Sequence, residues 1–355
     1  MSGSDDIAII GMAQTPAYER YDNTEPTLLM TVVNQLLEGA GLDRSDVDFT
    51  IAGSCDYLSG MPFAFVANVD GVGAWPPVYE SHVEMDGAWA LFEAWLRLQL
   101  GDIDIALVLG SGKSSPTDAR QVFPLQGDPY VTAPLGFDPV SYAGIQARAL
   151  VEAGLATETD FADVAARSLV AGATNPNATR GDAGATASTL LGEPYFCSPL
   201  RRHDVSPKVD GAAGVLIARG DRARQLCDRP VWIRGIDHRI ESHHPGLRDL
   251  TDSPSTRLAA ERLAVTGAPV TVAELHVTHS HEEIILRRAL GLDDATTVNP
   301  SGGPLCGDPV MSTGLVRIIE VARRIADGTA DRGVGHASSG AALQQNLLCL
   351  LEGDG

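Results

Sequence analysis

Two amphipathic helical stretches, Gly87 to Gly101 and Gly314 to Gly328, cover the same 14-residue interval between glycines. The strand-like run before each of them follows a helix and a Gly-Ala pair, Gly39-Ala40 in the first case and Gly267-Ala268 in the second. Matching helices, strands and order at this separation read as one unit built twice, and a duplicated unit must bury its two copies against each other. At 355 residues and 37.4 kDa the chain is long enough to do so.

The unit itself is legible from hydrophobic period. Ile7-Ala8-Ile9-Ile10-Gly11 is a short apolar run ended by glycine, which reads as a buried strand. From Leu28 to Leu37 apolar residues recur at helical spacing until Gly39-Ala40-Gly41 closes the turn. Val47 to Ala52 reads as a strand, Asp86 to Leu100 as a helix with Trp89, Leu91, Phe92, Trp95 and Leu96 packed inward, and Ile105 to Leu109 as a strand. The second half gives a strand at Val231 to Ile236, a helix at Thr256 to Leu263, a strand at Val272 to His276, a helix at Thr313 to Ala326 and a strand at Gln344 to Leu351. This alternation predicts an α/β protein with a mostly parallel sheet. The halves are read as residues 1–224 and 225–355. The first carries an inserted region at about 115–205, rich in Pro, Gly, Asn and Thr and holding a helix around Phe161 to Ala171, before Asp210 to Ile217 returns to the sheet.

Charge excludes some partners. The formal net charge is −20 and Lys113 and Lys208 are the only lysines, so nothing resembles a polybasic face for nucleic acid or for an anionic membrane. Arg201, Arg202, His203 and Lys208 do cluster, and read either as a holder for the phosphates of one small polyanion or as a solvated basic loop. Cys55, Cys197, Cys227, Cys306 and Cys349 form no CxxC pair, which speaks against a disulfide framework or zinc ribbon and for a reducing cytoplasm. The start carries Asp5 and Asp6 rather than a basic leader, and no apolar run reaches membrane-spanning length.

The duplication, the long insertion, and then Asn299-Pro300-Ser301-Gly302-Gly303 with a Gly-x-Pro turn leading into a helix resemble the thiolase superfamily. Glu274-Leu275-His276-Val277-Thr278-His279-Ser280 is similar to the Glu-Leu-His-Asp-Cys-Phe-Ser stretch of its sterol-carrier-type, lipid-transfer-protein-like branch. The resemblance covers nearly the whole chain. It implies a five-layered αβαβα fold with two duplicated halves, a homodimer, and a CoA thioester as substrate, with no covalently bound cofactor. It also implies where catalytic residues should be. The nucleophilic cysteine position falls on Glu84, the activating histidine on Asp308 within Gly307-Asp308-Pro309, and the acid/base cysteine on Ser338 within Ser338-Ser339-Gly340. His276 matches the residue that polarises the thioester carbonyl, and His336 matches the histidine of a Gly-Leu-Gln-His-Asn stretch.

A carboxylate in place of the thiol removes the acyl-enzyme route. Retro-aldol cleavage of a β-hydroxyacyl-CoA needs no acyl-enzyme: it needs a base for the β-hydroxyl, donors for the enolate oxygen and an acid for the α-carbon. His276, His279 and His336 are the candidate imidazoles, with Asp308 to orient one of them. His276 and His279 can share a site only if the strand ends between them. His281 reads as a surface or supporting residue. Glu84 reads as site or as a carboxylate at a helix start, Asp86 as that helix's N-cap, and Cys306 as a buried filler.

In lacking the cysteines the chain resembles the aldolases that remove branched side chains from steroid acyl-CoA thioesters together with an OB-fold partner protein. That branch refills its site partly with tyrosine, whereas this chain offers histidine. Met61, Phe63, Phe65, Val66 and Trp75, within Tyr57 to Trp75, read as a tunnel for a bulky ring system or as core or dimer packing. A non-catalytic scaffold subunit, or an acyl-CoA or sterol carrier, stands beside the lyase as an alternative.

Overall fold

The computed structural model describes residues 6–75 and 77–354; Asp5, part of the acidic start, lies outside them. The chain opens with β1 (Ile7–Gln14), α1 (Glu25–Ala40), β2 (Phe49–Gly53), α2 (Asp56–Ser59), α3 (Phe65–Val72), β3 (Glu80–Val83), α4 (Gly87–Leu100) and β4 (Ile105–Gly112). The excursion holds α5 (Ala119–Val122), α6 (Pro139–Glu152), α7 (Glu158–Gly172), α8 (Ala187–Leu190) and the ribbon β5 (Tyr195–Cys197) with β6 (Leu200–Arg201). It returns through β7 (Gly211–Arg219) and α9 (Gly220–Leu226). The second copy is β8 (Val231–Ile240), α10 (Pro254–Arg262), β9 (Val272–Glu274), α11 (Ser280–Leu290), β10 (Thr297–Val298), α12 (Thr313–Ala326), β11 (Arg332–Ser339) and β12 (Gln345–Glu352).

Ten strands run in the order β10-β9-β11-β12-β8-β1-β7-β4-β2-β3. Counted within each copy, both halves have third, second, fourth, fifth and first strands side by side, and they meet where β1 pairs with β8 over Ile7–Ile9 and Val231–Ile233. Identical strand order in both halves is the signature of duplication. The expectation of a mostly parallel sheet is corrected. Pairs among β2, β3, β4 and among β9, β10, β11 are parallel, but β7 against β1 and β4, β12 against β11 and β8, and β1 against β8 are antiparallel. The returning strands β7 and β12 need no crossover helix and insert against the chain direction.

Burial explains the layers. Trp89, Leu91, Ala94 and Leu98 of α4 join Leu315, Ile318, Ile319 and Ala322 of α12 in one core with the inner faces of both half-sheets. Leu28, Leu29, Val32, Val33 and Leu36 of α1 cover the outer face of the first half-sheet, and α7, α10 and α11 cover that of the second. The result is helix, sheet, helix, sheet, helix. Leu96, expected to pack inward, is exposed, because the inward stripe of α4 runs through 87, 91, 94 and 98 instead. Gly87 and Gly314 stand where the two central helices cross their neighbours: a Cβ on Gly87 would lie 2.9 Å from Gly110 Cα, and one on Gly314 would lie 2.5 Å from Ala337 Cβ. Both helices start at the centre of the molecule, beneath the principal cavity.

Candidate active site

Two helix starts meet beneath that cavity, and one side chain holds both. Asp86, the N-cap of α4, accepts from Ala88 N–H at 2.8 Å and also from Gly314 N–H at 2.8 Å and Leu315 N–H at 3.0 Å at the head of α12. Its carboxylate thereby satisfies donors that each helix leaves unpaired. Burial, against these three hydrogen bonds, pushes its pKa up to about 6. The Asp86 cap expected from sequence is present, and it serves a second helix as well.

The loop before α12 is drawn close to β4. Gly87 N–H donates to Met311 carbonyl oxygen at 2.8 Å, and Met311 adopts φ 73°, a left-handed conformation costly for a side-chain-bearing residue. The approach leaves no room for a side chain at Gly112, where a Cβ would fall 1.7 Å from Val310 oxygen. Asp308 rides on this loop, buried, accepting from Ser206 Oγ at 2.9 Å, from Thr313 Oγ1 at 2.6 Å and from Lys208 Nζ. Burial works to raise its pKa, but Lys208 and the neighbouring His276 outweigh that and hold it at about 2. Asp308 is an anion tied to Lys208.

β9 ends at Glu274, so the backbone is free to turn before α11 begins at Ser280, and His276 and His279 both line the cavity. His276 accepts from Ser338 N–H on β11 through Nδ1 at 3.2 Å. An Nδ1 that accepts leaves the proton on Nε2. Burial lowers this ring's pKa to about 4, so it is neutral at pH 7 and offers the cavity an N–H donor. Glu274 is held beneath by Ser301 N–H at 2.9 Å and Ser301 Oγ at 2.7 Å, which fastens the Asn-Pro-Ser-Gly-Gly turn to the base of this loop.

His336 is not in the cavity. Its ring is fully buried one layer behind, accepting from His276 N–H at 3.3 Å through Nδ1 and lying 2.9 Å from Asn346 Oδ1 through Nε2. The expectation of a second imidazole facing the site there is corrected, because its Nδ1 is taken by His276 N–H and its Nε2 by Asn346. His281 is also fully buried rather than at the surface, 3.0 Å from Gln146 Oε1. His279 caps α11, and its Nδ1 lies 3.1 Å from Glu282 Oε1 and 3.0 Å from Thr278 Oγ1.

Glu84 stands on the cavity rim, largely exposed, and accepts from Asp56 N–H at 2.6 Å. Partial burial and the Asp56 carboxylate raise its pKa against that hydrogen bond. Beside it is Cys55, a cavity thiol that motif reasoning missed because it lies at the end of β2, away from any cysteine motif position. Burial first, with the charge of Glu84 adding to it, pushes the Cys55 thiol up to about 11. A nucleophilic cysteine needs the opposite surroundings.

The cavity holds about 680 Å³. Of the basic cluster, Arg202 reaches it, exposed, with its guanidinium 5.1 Å from the Phe196 ring, and Arg120, paired with Asp138, lies 5.4 Å from the same ring. Arg201 does not reach the cavity. It is buried against Glu158 at 2.8 Å, Glu193 carbonyl oxygen at 3.0 Å and the Tyr195 ring. Lys208 lines the cavity floor with Asp308 rather than joining the arginines at its mouth. The anticipated three-residue phosphate holder is corrected: the groups divide among interior, floor and mouth. Met61, Phe63, Phe65, Val66 and Trp75 line no part of this cavity; Phe65 is half-buried and stacked on His82, and the others lie exposed on the surface. Cys306 is buried against Ser168 carbonyl oxygen, as a filler would be. Glu282 was missed from sequence, although His279-x-x-Glu282 carries the spacing of a capping box, which places the carboxylate under the imidazole.

No protein-family model matches the chain. It is 25% identical to an acetyl-CoA acetyltransferase of Methanothermobacter thermautotrophicus over 94% of each chain. It is 24% identical to that of Methanocaldococcus jannaschii over 89% of this chain and 88% of the relative. Among solved structures it is similar to an Ltp2-ChsH2(DUF35) aldolase, with a TM-score of 0.80 at 20% identity over 99% of this chain and 98% of the other. The Bacillus anthracis acetyl-CoA acetyltransferase gives 0.76 at 17% identity, covering 98% and 99%. Human mitochondrial 3-ketoacyl-CoA thiolase gives 0.78 at 15% identity, covering the whole of both chains. With its two copies of one strand order around a central helix pair, the chain is a thiolase-fold protein.

Proposed function

We propose that the chain is a carbon–carbon lyase acting on a β-hydroxyacyl-CoA by retro-aldol cleavage. The observation that carries this reading is the contrast within one cavity: an imidazole fixed as an N–H donor at His276, and no thiol poised for attack. Glu84 stands at the head of α4, and Cys55 is held protonated beside it. An enolate oxygen needs such a donor, and a Claisen exchange needs a thiolate. The β-hydroxyl proton passes to a base, the Cα–Cβ bond breaks, and its electron pair becomes the enolate facing His276 Nε2–H. The β-carbon leaves as a ketone, and protonation at the α-carbon gives the shortened acyl-CoA. Nothing beyond the substrate is required for balance.

The two arginines beside Phe196 suit the phosphates of CoA at the mouth. A steroid side chain as the acyl group, an OB-fold partner subunit and a cytoplasmic location complete the proposal. The first rests on the sequence resemblance, and the second, as a partner subunit, draws on the solved aldolase, which is named as a complex with a DUF35 protein. A homodimer fits β3, an edge strand with Phe63 and Trp75 exposed beside it.

The test is incubation with a steroid β-hydroxyacyl-CoA, alone and with a co-purifying OB-fold protein, following ketone and shortened acyl-CoA. Turnover is expected to survive Cys55→Ser and to fall about 100-fold or more in His276→Ala. Thioester bound without turnover in either case, or loss of activity in the serine variant, would count against the lyase.

A further inference from the structure

We propose that His279 is the base that takes the β-hydroxyl proton, and that Glu282 is the positioning residue that makes it one. The assignment rests on the retro-aldol reading for its substrate and on geometry for its residues. Of the histidines in or beside the cavity, His276 presents a proton, His336 has both nitrogens occupied, His281 is turned to Gln146, and His243 is exposed with its ring against that of His244. His279 alone combines a place on the cavity wall with an Nδ1 held against a carboxylate. Its Nε2 has no protein partner among the described residues. With Nδ1–H donated to Glu282, the lone pair sits on Nε2 and faces the cavity.

The carboxylate rivals are engaged elsewhere. Asp308 is bound by Ser206, Thr313 and Lys208, and Asp86 by three backbone N–H groups. Asp118 is held by Arg120 N–H and Gln121 Nε2, which leaves Glu84 on the rim and the exposed Glu19 as the remaining competitors.

The dyad is held rigidly. Glu282 also accepts from Thr278 N–H at 2.8 Å and His279 N–H at 3.0 Å, Ser206 N–H donates to Thr278 oxygen at 2.9 Å, and Ser280 Oγ donates to Asp204 at 2.6 Å. Burial favours protonation of Glu282, but the His279 ring, its hydrogen bond and the His281 ring prevail and hold the carboxyl at about 2. An imidazolium formed at His279 would rest on a standing negative charge. Charged and titratable groups near the ring are Glu282 and His281 on its own helix, His276 on the turn leading into that helix, and Lys208, Asp308 and Arg202 elsewhere in the cavity lining. The proton taken from the hydroxyl at His279 Nε2 is then available for return to the α-carbon or to water, so the cycle closes.

Glu282→Gln separates the role from mere support. The amide oxygen can still accept from the backbone of Thr278 and His279, preserving the cap. Its NH₂ turned towards His279 Nδ1 makes that nitrogen an acceptor and moves the proton to Nε2, the wrong side for a base. On a substrate that the wild type turns over, the expected result is kcat lower by roughly 100- to 10,000-fold with KM within about threefold and an unchanged melting temperature. Glu282→Asp should recover part of the rate, and Glu84→Gln should cost far less. An unaffected kcat in Glu282→Gln, or a larger loss in Glu84→Gln, overturns the assignment. A wild type without turnover overturns the retro-aldol reading instead. ¹⁵N spectra of the His279 ring then decide the dyad independently, since a protonated Nε2 with a bare Nδ1 at neutral pH would refute it.

Discussion

Asp308 occupies the turn where the resemblance anticipates a histidine, and its pairing with Lys208 makes it a source of pH-dependent stability. Its folded pKa, about 2, lies below the ordinary 3.8, so its contribution is complete above about pH 4 and is lost as pH falls through 2. Urea melts of the wild type and Asp308→Asn should therefore differ most near neutrality, with the gap narrowing as pH drops towards 2 to 3. A gap that widened in acid would show that the carboxyl is protonated at neutral pH. The same residue shows what sequence alone reaches. Its position was legible from Gly307-Asp308-Pro309, whereas Lys208 as its partner was not, because a separation of 100 positions carries no record of which cation arrives. His276 and His279 were legible from one short stretch. Which nitrogen of each carries the proton was decided by Ser338 on another strand and by Glu282.

At the scale of elements, Asp86 ties α4 to α12, and its removal leaves three buried N–H donors without an acceptor. At about 1–3 kcal/mol for each such group, Asp86→Ala should destabilise the fold by roughly 3 kcal/mol or more. The urea midpoint should drop with an unchanged slope; a midpoint equal to the wild type would mean that water replaces the carboxylate without cost. The helices themselves were plain from apolar spacing and glycine stops. β11 was not, because Gly333, Gly335, His336 and the paired serines interrupt the run of apolar side chains by which a buried strand is recognised. Those interruptions have structural reasons: Gly335 lets Ile318 of α12 approach closely, and Ser338 reaches His276 with its N–H. The polar content that hid the strand is the part that serves the site.

For the molecule as a whole, the open edge of β3 and the exposed Phe63, Val66 and Trp75 lead to the expectation of a two-fold dimer formed by edge pairing. Sedimentation equilibrium should give twice the 37.4 kDa chain mass, and Phe63→Asp combined with Val66→Asp should return the single mass without unfolding. A wild-type monomer at micromolar concentration would end that expectation. Duplication was legible because it is written in repeated spacing, and the layer order came with the family resemblance; strand direction was not legible, since antiparallel return of β7 and β12 leaves no mark on hydrophobic period. The bond from Asp86 to Gly314 spans 228 positions. A ribosome must therefore have released Gly314 before the floor of the cavity can close. A truncated product can carry most of the named residues and still own no pocket, so quality control at the level of translation is also quality control of the site.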